Sequence, residues 1–204
     1  MSVDPVPVSA GAPARFHVRQ KITPFQNTYR ISTDDGAGEP GALVAFAKQK
    51  RLAFKESFTL YRDESATTPV LTIAADRRLD VRSVMTVRDP SGTTVGQLRK
   101  KGRASLLRST WELEQQGLPL VLVQERSLAV ALLRRLWGLV PYVGDVPLPW
   151  VFHFDGTTPD GRTVLTHTRR WGIRDRYVLE VLDPVLDPRL AIALAVCLDA
   201  MQKR

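Results

Sequence analysis

The stretch LDPRLAIALAVCLDAMQKR, residues 186–204, limits what the rest of the chain can fold into. Asp187 suits an N-cap, and Pro188 can open a helix because the first helical position needs no N–H. Lys203 and Arg204 supply the charge that a helix C-terminus favours. The stretch therefore predicts a helix over 188–202. Yet from Leu190 to Leu198 that helix has no polar face. Such a helix is either enclosed on all sides or lies in lipid. About 14 residues at 1.5 Å each reach roughly 21 Å, which is short of a bilayer core, and no run of about twenty apolar residues occurs elsewhere. The helix belongs inside the protein, and the remainder must build a cage wide enough to hold it.

The material for a cage is a succession of segments with period two, separated by turn residues. RFHVRQK puts Phe16 and Val18 on one face, and TYRIS follows before the turn TDDGAGEPG. ALVAFAKQK comes next, then ESFTLYRD, with Phe58 and Leu60 on one side and Thr59 and Tyr61 on the other. PVLTIAA, VRSVMTVRD and TVGQLRK continue the series, the last two divided by the DPSG turn. STWELEQQG and LPLVLVQE read as a hairpin around Gln116-Gly117, and LPWVFHF, RTVLTHT and DRYVLEVLD complete the set. About twelve strands result, at the spacing of a sandwich or barrel. One segment breaks the pattern. Leu128, Leu132, Leu133, Leu136 and Trp137 fit a helical face near 127–138, with Ser127 as cap and Gly138 as stop.

A faint internal repeat points to closure. PVLTIAADRRLDVRSVMTVRDP and TVLTHTRRWGIRDRYVLEVLDP align without gaps at an offset of 94, matching Val70, Leu71, Thr72, Arg82, Val84, Val87, Asp89 and Pro90 to Val164, Leu165, Thr166, Arg176, Val178, Val181, Asp183 and Pro184. Repetition of a strand, basic turn and strand suits a pseudo-symmetric closed sheet. A barrel of about twelve strands is too wide for its own side chains to fill, so a helix apolar in every direction would plug it. The expected fold is mainly β, an antiparallel closed barrel wrapped around the C-terminal helix. Residues 1–14 read as a loose leader without signal-peptide features, and 15–204 as one domain.

Composition narrows the function. The 204 residues carry a formal net charge of +8, which favours an anionic partner. The one cysteine, Cys197, excludes disulfides within the chain and suits a reducing cytoplasm. His17, His153 and His167 lie in separate strands without metal-ligand spacing and are expected to be satisfied strand histidines. Asp34-Asp35, Asp63-Glu64 and Asp155 are expected in turns, where carboxylates cap backbone groups. No phosphate loop and no nucleophile elbow is present, so no cofactor, no metal and no enzymatic activity are expected.

Three basic stretches remain. KQKRLAFK supplies Lys48, Lys50, Arg51 and Lys55. RKKGRASLLR supplies Arg99, Lys100, Lys101, Arg103 and Arg108, and TRRWGIRDR supplies Arg169, Arg170, Arg174 and Arg176 around Trp171. All sit at hairpin ends, so they are expected to crown one rim of the barrel and to receive an anionic ligand. Anionic headgroups attract such residues at about 1 kcal/mol each near a charged surface. Lys and Arg also guard turns and sheet edges in any β protein. Leu133, Arg134, Arg135, Trp137 and Trp171 are candidate membrane contacts, because Trp settles at membrane interfaces. The inserted helix either rests there or covers a barrel end.

The segments FHVRQKITPFQNTYRIS, AKQKRLAFKESFTLYRDES, VLTI, VMTVRDPSGTTVGQLRKK, TWELE and YVLEVLDPVLDPRLAIALAVCLDAM resemble, in that order, the tubby C-terminal-like superfamily. That superfamily includes phospholipid scramblases, tubby proteins and LURP-one-related proteins, and the LURP-one-related branch fits best, from Arg15 to Met201. The resemblance implies a twelve-stranded barrel around a central C-terminal helix. Tubby proteins bind phosphoinositides, scramblases face lipid, and plant members are tied to defence or stress. The chain departs from scramblases in having no cysteine cluster for palmitoylation and no acidic EF-hand-like segment before the last helix, where only Asp183 and Asp187 stand. Calcium binding and lipid scrambling are therefore not implied. The expected function is a non-enzymatic barrel, cytoplasmic or peripheral at a membrane, that binds phospholipid headgroups through basic loops. The alternative is a protein-interaction or nucleic-acid-binding module of stress or regulatory type. Against nucleic acid, few aromatic residues interleave with the basic runs.

Overall fold

The structure is a computed structural model that describes residues 13–23, 26–50, 57–75, 84–101, 109–126, 153–170 and 176–202. Its strands are β1 (Ala14–Ile22), β2 (Gln26–Asp34), β3 (Pro40–Lys50), β4 (Ser57–Tyr61), β5 (Pro69–Ala75) and β6 (Val84–Arg88). They continue with β7 (Thr94–Lys100), β8 (Thr110–Glu114), β9 (Val121–Glu125), β10 (His153–Thr157), β11 (Thr163–Arg170) and β12 (Arg176–Val181), and helix α1 (Pro188–Gln202) follows. Each strand pairs antiparallel with its sequence neighbours, and β1 pairs with β12, so the sheet closes into a twelve-stranded barrel. Of the expected leader, Ala14 already belongs to β1, opposite Val181. The expected helix near 127–138 lies outside the described residues.

Alternation decides which side chains point inward. Phe16 and Val18 on β1, Leu71 and Ile73 on β5, and Val121 and Val123 on β9 are all buried, and all belong to one core. Removing apolar area of this kind from water is what drives such a sheet to close around a filling. The filling is α1. Every residue from Leu190 to Leu198 is at most 1% exposed, which is why this helix needs no polar face. Gly96 on β7 lets it come close, since a Cβ there would stand 2.4 Å from Leu190 Cδ2 and 2.6 Å from the Glu114 carbonyl oxygen.

The start of α1 is tied down by polar groups. Arg189 N–H donates to Asp187 Oδ1 at 2.9 Å, the N-cap bond. Asp187 N–H donates to Gln115 Oε1 at 2.7 Å, while Gln115 Nε2 donates to the Val185 carbonyl at 2.7 Å, so one side chain after β8 clamps the approach to the helix. In the DPSG turn Asp89 Oδ1 accepts from Ser91 N–H and Thr93 N–H, and Gly92 takes the positive φ of 87° that closes it.

One sequence expectation is corrected on β10. Of the LPWVFHF segment only His153 and Phe154 are among the described residues, and they open β10; Asp155 stands within this strand rather than in a turn. The Asp155-Gly156 pair imitates a turn signal. Gly156 in fact serves packing, because Leu165 Cγ would lie 2.7 Å from a Cβ there. Asp155 holds Arg126 in a two-pronged ion pair at 2.6 and 2.7 Å.

With neighbours antiparallel throughout, the connections alternate between the two ends of the barrel. Those after β2, β4, β6, β8 and β10 lie at the near end, where α1 enters. Those after the odd-numbered strands leave from the far end, where α1 finishes beside the start of β12. The two halves of the internal repeat, β5–β6 and β11–β12, stand six strands apart in this ring, on opposite sides of the helix.

Candidate functional site at the far end

Strands β3, β7 and β11 all run toward the far end, so the three basic stretches leave the barrel there. Lys48, Arg99, Lys100, Lys101, Arg169 and Arg170 are described with their side chains, and Lys50 by its backbone position at the close of β3. Arg51, Lys55, Arg103, Arg174 and the proposed membrane contacts Leu133, Arg134, Arg135, Trp137 and Trp171 lie outside the described residues.

The strand period divides the described cations between two faces. On the outer wall Lys48 Nζ donates to the Glu64 carbonyl at 3.3 Å and lies 5.5 Å from the Phe46 ring centroid. Arg99 stands 3.7 Å from Glu112 and 3.9 Å from Glu114, while Lys101 reaches Glu112 at 2.5 Å. Arg170 donates to the Gly38 carbonyl at 3.2 Å and comes within 3.9 Å of Glu39. These are part-exposed pairs, of the kind that contribute about 0–1 kcal/mol each. They hold the outer cations in place without removing them from solvent.

Lys100 and Arg169 face the other way. Lys100 follows the core residue Leu98 by two positions, and its Nζ lies 5.9 Å from the ring centroid of Trp111, which is buried in the core. Arg169 follows Leu165 and His167 on the inner side of β11 and pairs in register with Tyr177, also a core residue. Glu125, two positions beyond Val123 on β9, is a buried carboxylate on this inner wall.

Beside them a polar network anchors the end of α1. Asp199 accepts from Tyr29 Oη at 3.0 Å and from Tyr177 Oη at 2.9 Å, and Gln20 Nε2 donates to Tyr29 Oη at 3.0 Å. Burial, then the charge and hydrogen bond of Asp199, pushes the Tyr29 hydroxyl well above its ordinary pKa. His167 stacks on Tyr177 with ring centroids 4.9 Å apart, and burial alone lowers its pKa to about 4. Cys197 lies against Met85 with its sulfur 3.7 Å from Met85 Sδ, and burial pushes its thiol up, away from nucleophilic use.

His17 is a satisfied strand histidine as expected, while His153 and His167 each leave one ring nitrogen unmatched. His17 Nε2 lies 2.8 Å from Asp34 Oδ2, and that bond is the main reason the Asp34 carboxyl is held below its usual range. His153 and His167 each bury an Nδ1 that has no hydrogen-bond partner. A strand position gives burial, but it does not guarantee a polar neighbour across the sheet. Among the described residues no cluster of three or more His, Cys, Asp or Glu is placed to hold a metal, and no helix is long and apolar enough to cross a membrane.

Sequence reasoning missed Gln20, Tyr29, Trp111, Tyr177 and Asp199. One signal was available in the internal repeat. Its first copy carries Ile73 and Ala75 on the inner face, and its second carries His167 and Arg169 at the corresponding positions.

A closed twelve-stranded antiparallel barrel threaded by an apolar C-terminal helix is a distinctive class of fold. The sequence model of the LURP-one-related family matches residues 43–199, from within β3 to the Asp199 that closes the interior, and the chain belongs to that family. No curated protein sequence matches the chain significantly.

Proposed function

We propose that this LURP-one-related barrel is a non-enzymatic binding module for an anionic ligand, with phospholipid headgroups at a membrane surface as the first candidate. The observation that supports the reading is the common direction of β3, β7 and β11, from whose ends the three basic stretches depart together. A formal charge of +8 adds a long-range attraction to any anionic surface. The chain continues toward Trp137 from the end of β9 and toward Trp171 from the end of β11, both at the far end. The outer cations keep their exposure despite their acidic neighbours, and a dense anionic surface competes with such weak pairs.

Sedimentation with vesicles tests this. Vesicles of phosphatidylcholine with phosphatidylserine should carry the protein down at low salt, and added salt should release it. Phosphatidylcholine alone should not. Equal behaviour with both vesicle types would rule the reading out.

A further inference from the structure

The sheet register lines up a row of arginines on the outer wall. Arg170 on β11 stands opposite Arg176 on β12, Arg176 opposite Arg19 on β1, and Arg19 opposite Arg30 on β2. Each of them is exposed. Adjacent strands lie about 4.8 Å apart, so the row spans roughly 15 Å. Like charges directly opposite one another destabilise a sheet. The same seam shows the ordinary solution nearer the start of β1, where Arg15 faces Glu180 and binds it at 2.6 Å. At Arg19 and Arg176 the seam sets cation against cation, and neither forms an ion pair among the described residues.

The ends of the row show what chemistry suits its middle. Arg30 is paired with the Glu64 carboxylate. Arg170 donates to the Gly38 carbonyl at 3.2 Å and lies 3.9 Å from Glu39, so the β2–β3 turn reaches across β1 and β12 to β11. A backbone carbonyl and a glutamate side chain together are what an acidic peptide offers. The planar guanidinium fork fits a carboxylate with two hydrogen bonds, and a row built of Arg without Lys suits such contacts better than diffuse attraction. Two other anions fit less well. Phe46, opposite Arg30, is 4% exposed and offers no face on which a nucleic-acid base could stack. Arg30 lies at the middle of β2 on the convex side wall, where a flat bilayer resting on the far end does not reach it.

We infer that the outer wall of β11, β12, β1 and β2 binds an acidic, extended segment of a partner protein, with Arg19 and Arg176 as the central contacts and Arg30 and Arg170 flanking them. Carboxylates on one face of an extended chain recur at about 6.7 Å, a spacing that long guanidinium arms on strands about 4.8 Å apart can follow. This surface lies on the side wall beside the far-end loops and does not depend on their meeting lipid.

Fluorescence anisotropy at low salt tests this with a labelled peptide of about eight residues alternating Glu and Ser, long enough at about 3.3 Å per residue to cover the row. The full protein should bind it saturably. Arg19→Gln and Arg176→Gln should each weaken binding about tenfold or more, the loss of a hydrogen bond to a charged group. Arg88→Gln removes the same charge from an exposed position on β6, across the barrel, and should leave the affinity unchanged. Equal weakening by Arg88→Gln would mean attraction to net charge only and overturn the site. Arg176→Glu would set an acid opposite Arg19, as Glu180 stands opposite Arg15. Its urea midpoint should rise while peptide binding is lost, and a fall in the midpoint would contradict a row held at a cost to the fold. Binding of an oligothymidylate but not of the peptide, lost in the same arginine variants, would assign the row to nucleic acid instead. Sedimentation with phosphatidylserine vesicles should survive Arg19→Gln and Arg176→Gln, and its loss together with peptide binding would merge the row with the lipid surface and overturn it as a separate site. A wild type that sediments with vesicles but binds no peptide overturns this inference and leaves the lipid reading standing. Peptide binding without sedimentation does the reverse.

Discussion

His167 shows how much one side chain commits the far end of the barrel. Its ring is buried against Tyr177, whose hydroxyl is bound to Asp199, and burial lowers its pKa to about 4 from an ordinary 6.5. The imidazole is therefore neutral in the fold, while the unfolded chain takes up a proton below about pH 6.5. Folding is favoured in full above that value and weakens as the pH falls toward about 4, below which nothing further is lost from this group. The span corresponds to about 3 kcal/mol, and roughly 2 kcal/mol of it falls between pH 7 and pH 5. Asp34, Asp63, Asp89 and Glu180 are held below the usual carboxylate range, so their losses come at lower pH. Urea unfolding of the wild type and His167→Gln at pH 7 and pH 5 isolates the effect. The wild type should lose about 2 kcal/mol more than the variant over that interval, and equal losses would mean that His167 is not a buried neutral base.

At the scale of the element, α1 and the wall depend on each other for shape. Leu194 lies at the middle of the helix and is fully buried, so Leu194→Ala leaves a void that the surrounding strands cannot close. Urea denaturation should register a loss of about 2–5 kcal/mol, against a few tenths for Val185→Ala at a site 52% exposed. Gly96→Ala should also destabilise, by about 1–3 kcal/mol, because the added methyl meets the end of the buried Leu190 side chain and, at 2.6 Å, the Glu114 backbone carbonyl, which cannot swing aside. The helix was legible from its cap and its lack of a polar face, and the strands from their alternation. The place of Asp155 within β10 was not, because Asp155-Gly156 reads as a turn unless the packing demand of Leu165 is known. The basic stretches were legible as clusters. Their division into outer and inner cations follows from strand parity at Leu98 and Leu165, which local charge counting ignores. The network around Asp199 joins β1, β2, β12 and α1, and contacts so distant along the chain leave no local pattern to read.

At the scale of the molecule, the barrel exists only if β1 finds β12, the longest-range pairing in the sheet. The seam is made specific on both faces. Inside, Phe16 and Val18 meet Leu179 and Tyr177, so a slip of one residue would turn those rings into solvent. Outside, Arg15 grips Glu180 through Nε at 3.1 Å and Nη2 at 2.6 Å, and Thr166 Oγ1 donates to the other carboxylate oxygen at 3.0 Å. Removing β1 would expose the free edges of β2 and β12 and uncover the anchor of α1, since Gln20 and the neighbours of Tyr29 would go with it. Unpaired edges are templates for association. A chain beginning at residue 23 should therefore form oligomers or aggregates by size-exclusion chromatography with light scattering. A chain beginning at residue 13 should keep the elution volume and urea midpoint of the full protein. A monomeric, cooperatively unfolding chain without β1 would show that the sheet can stay rolled around its helix without the seam, and that α1 rather than closure sets its curvature.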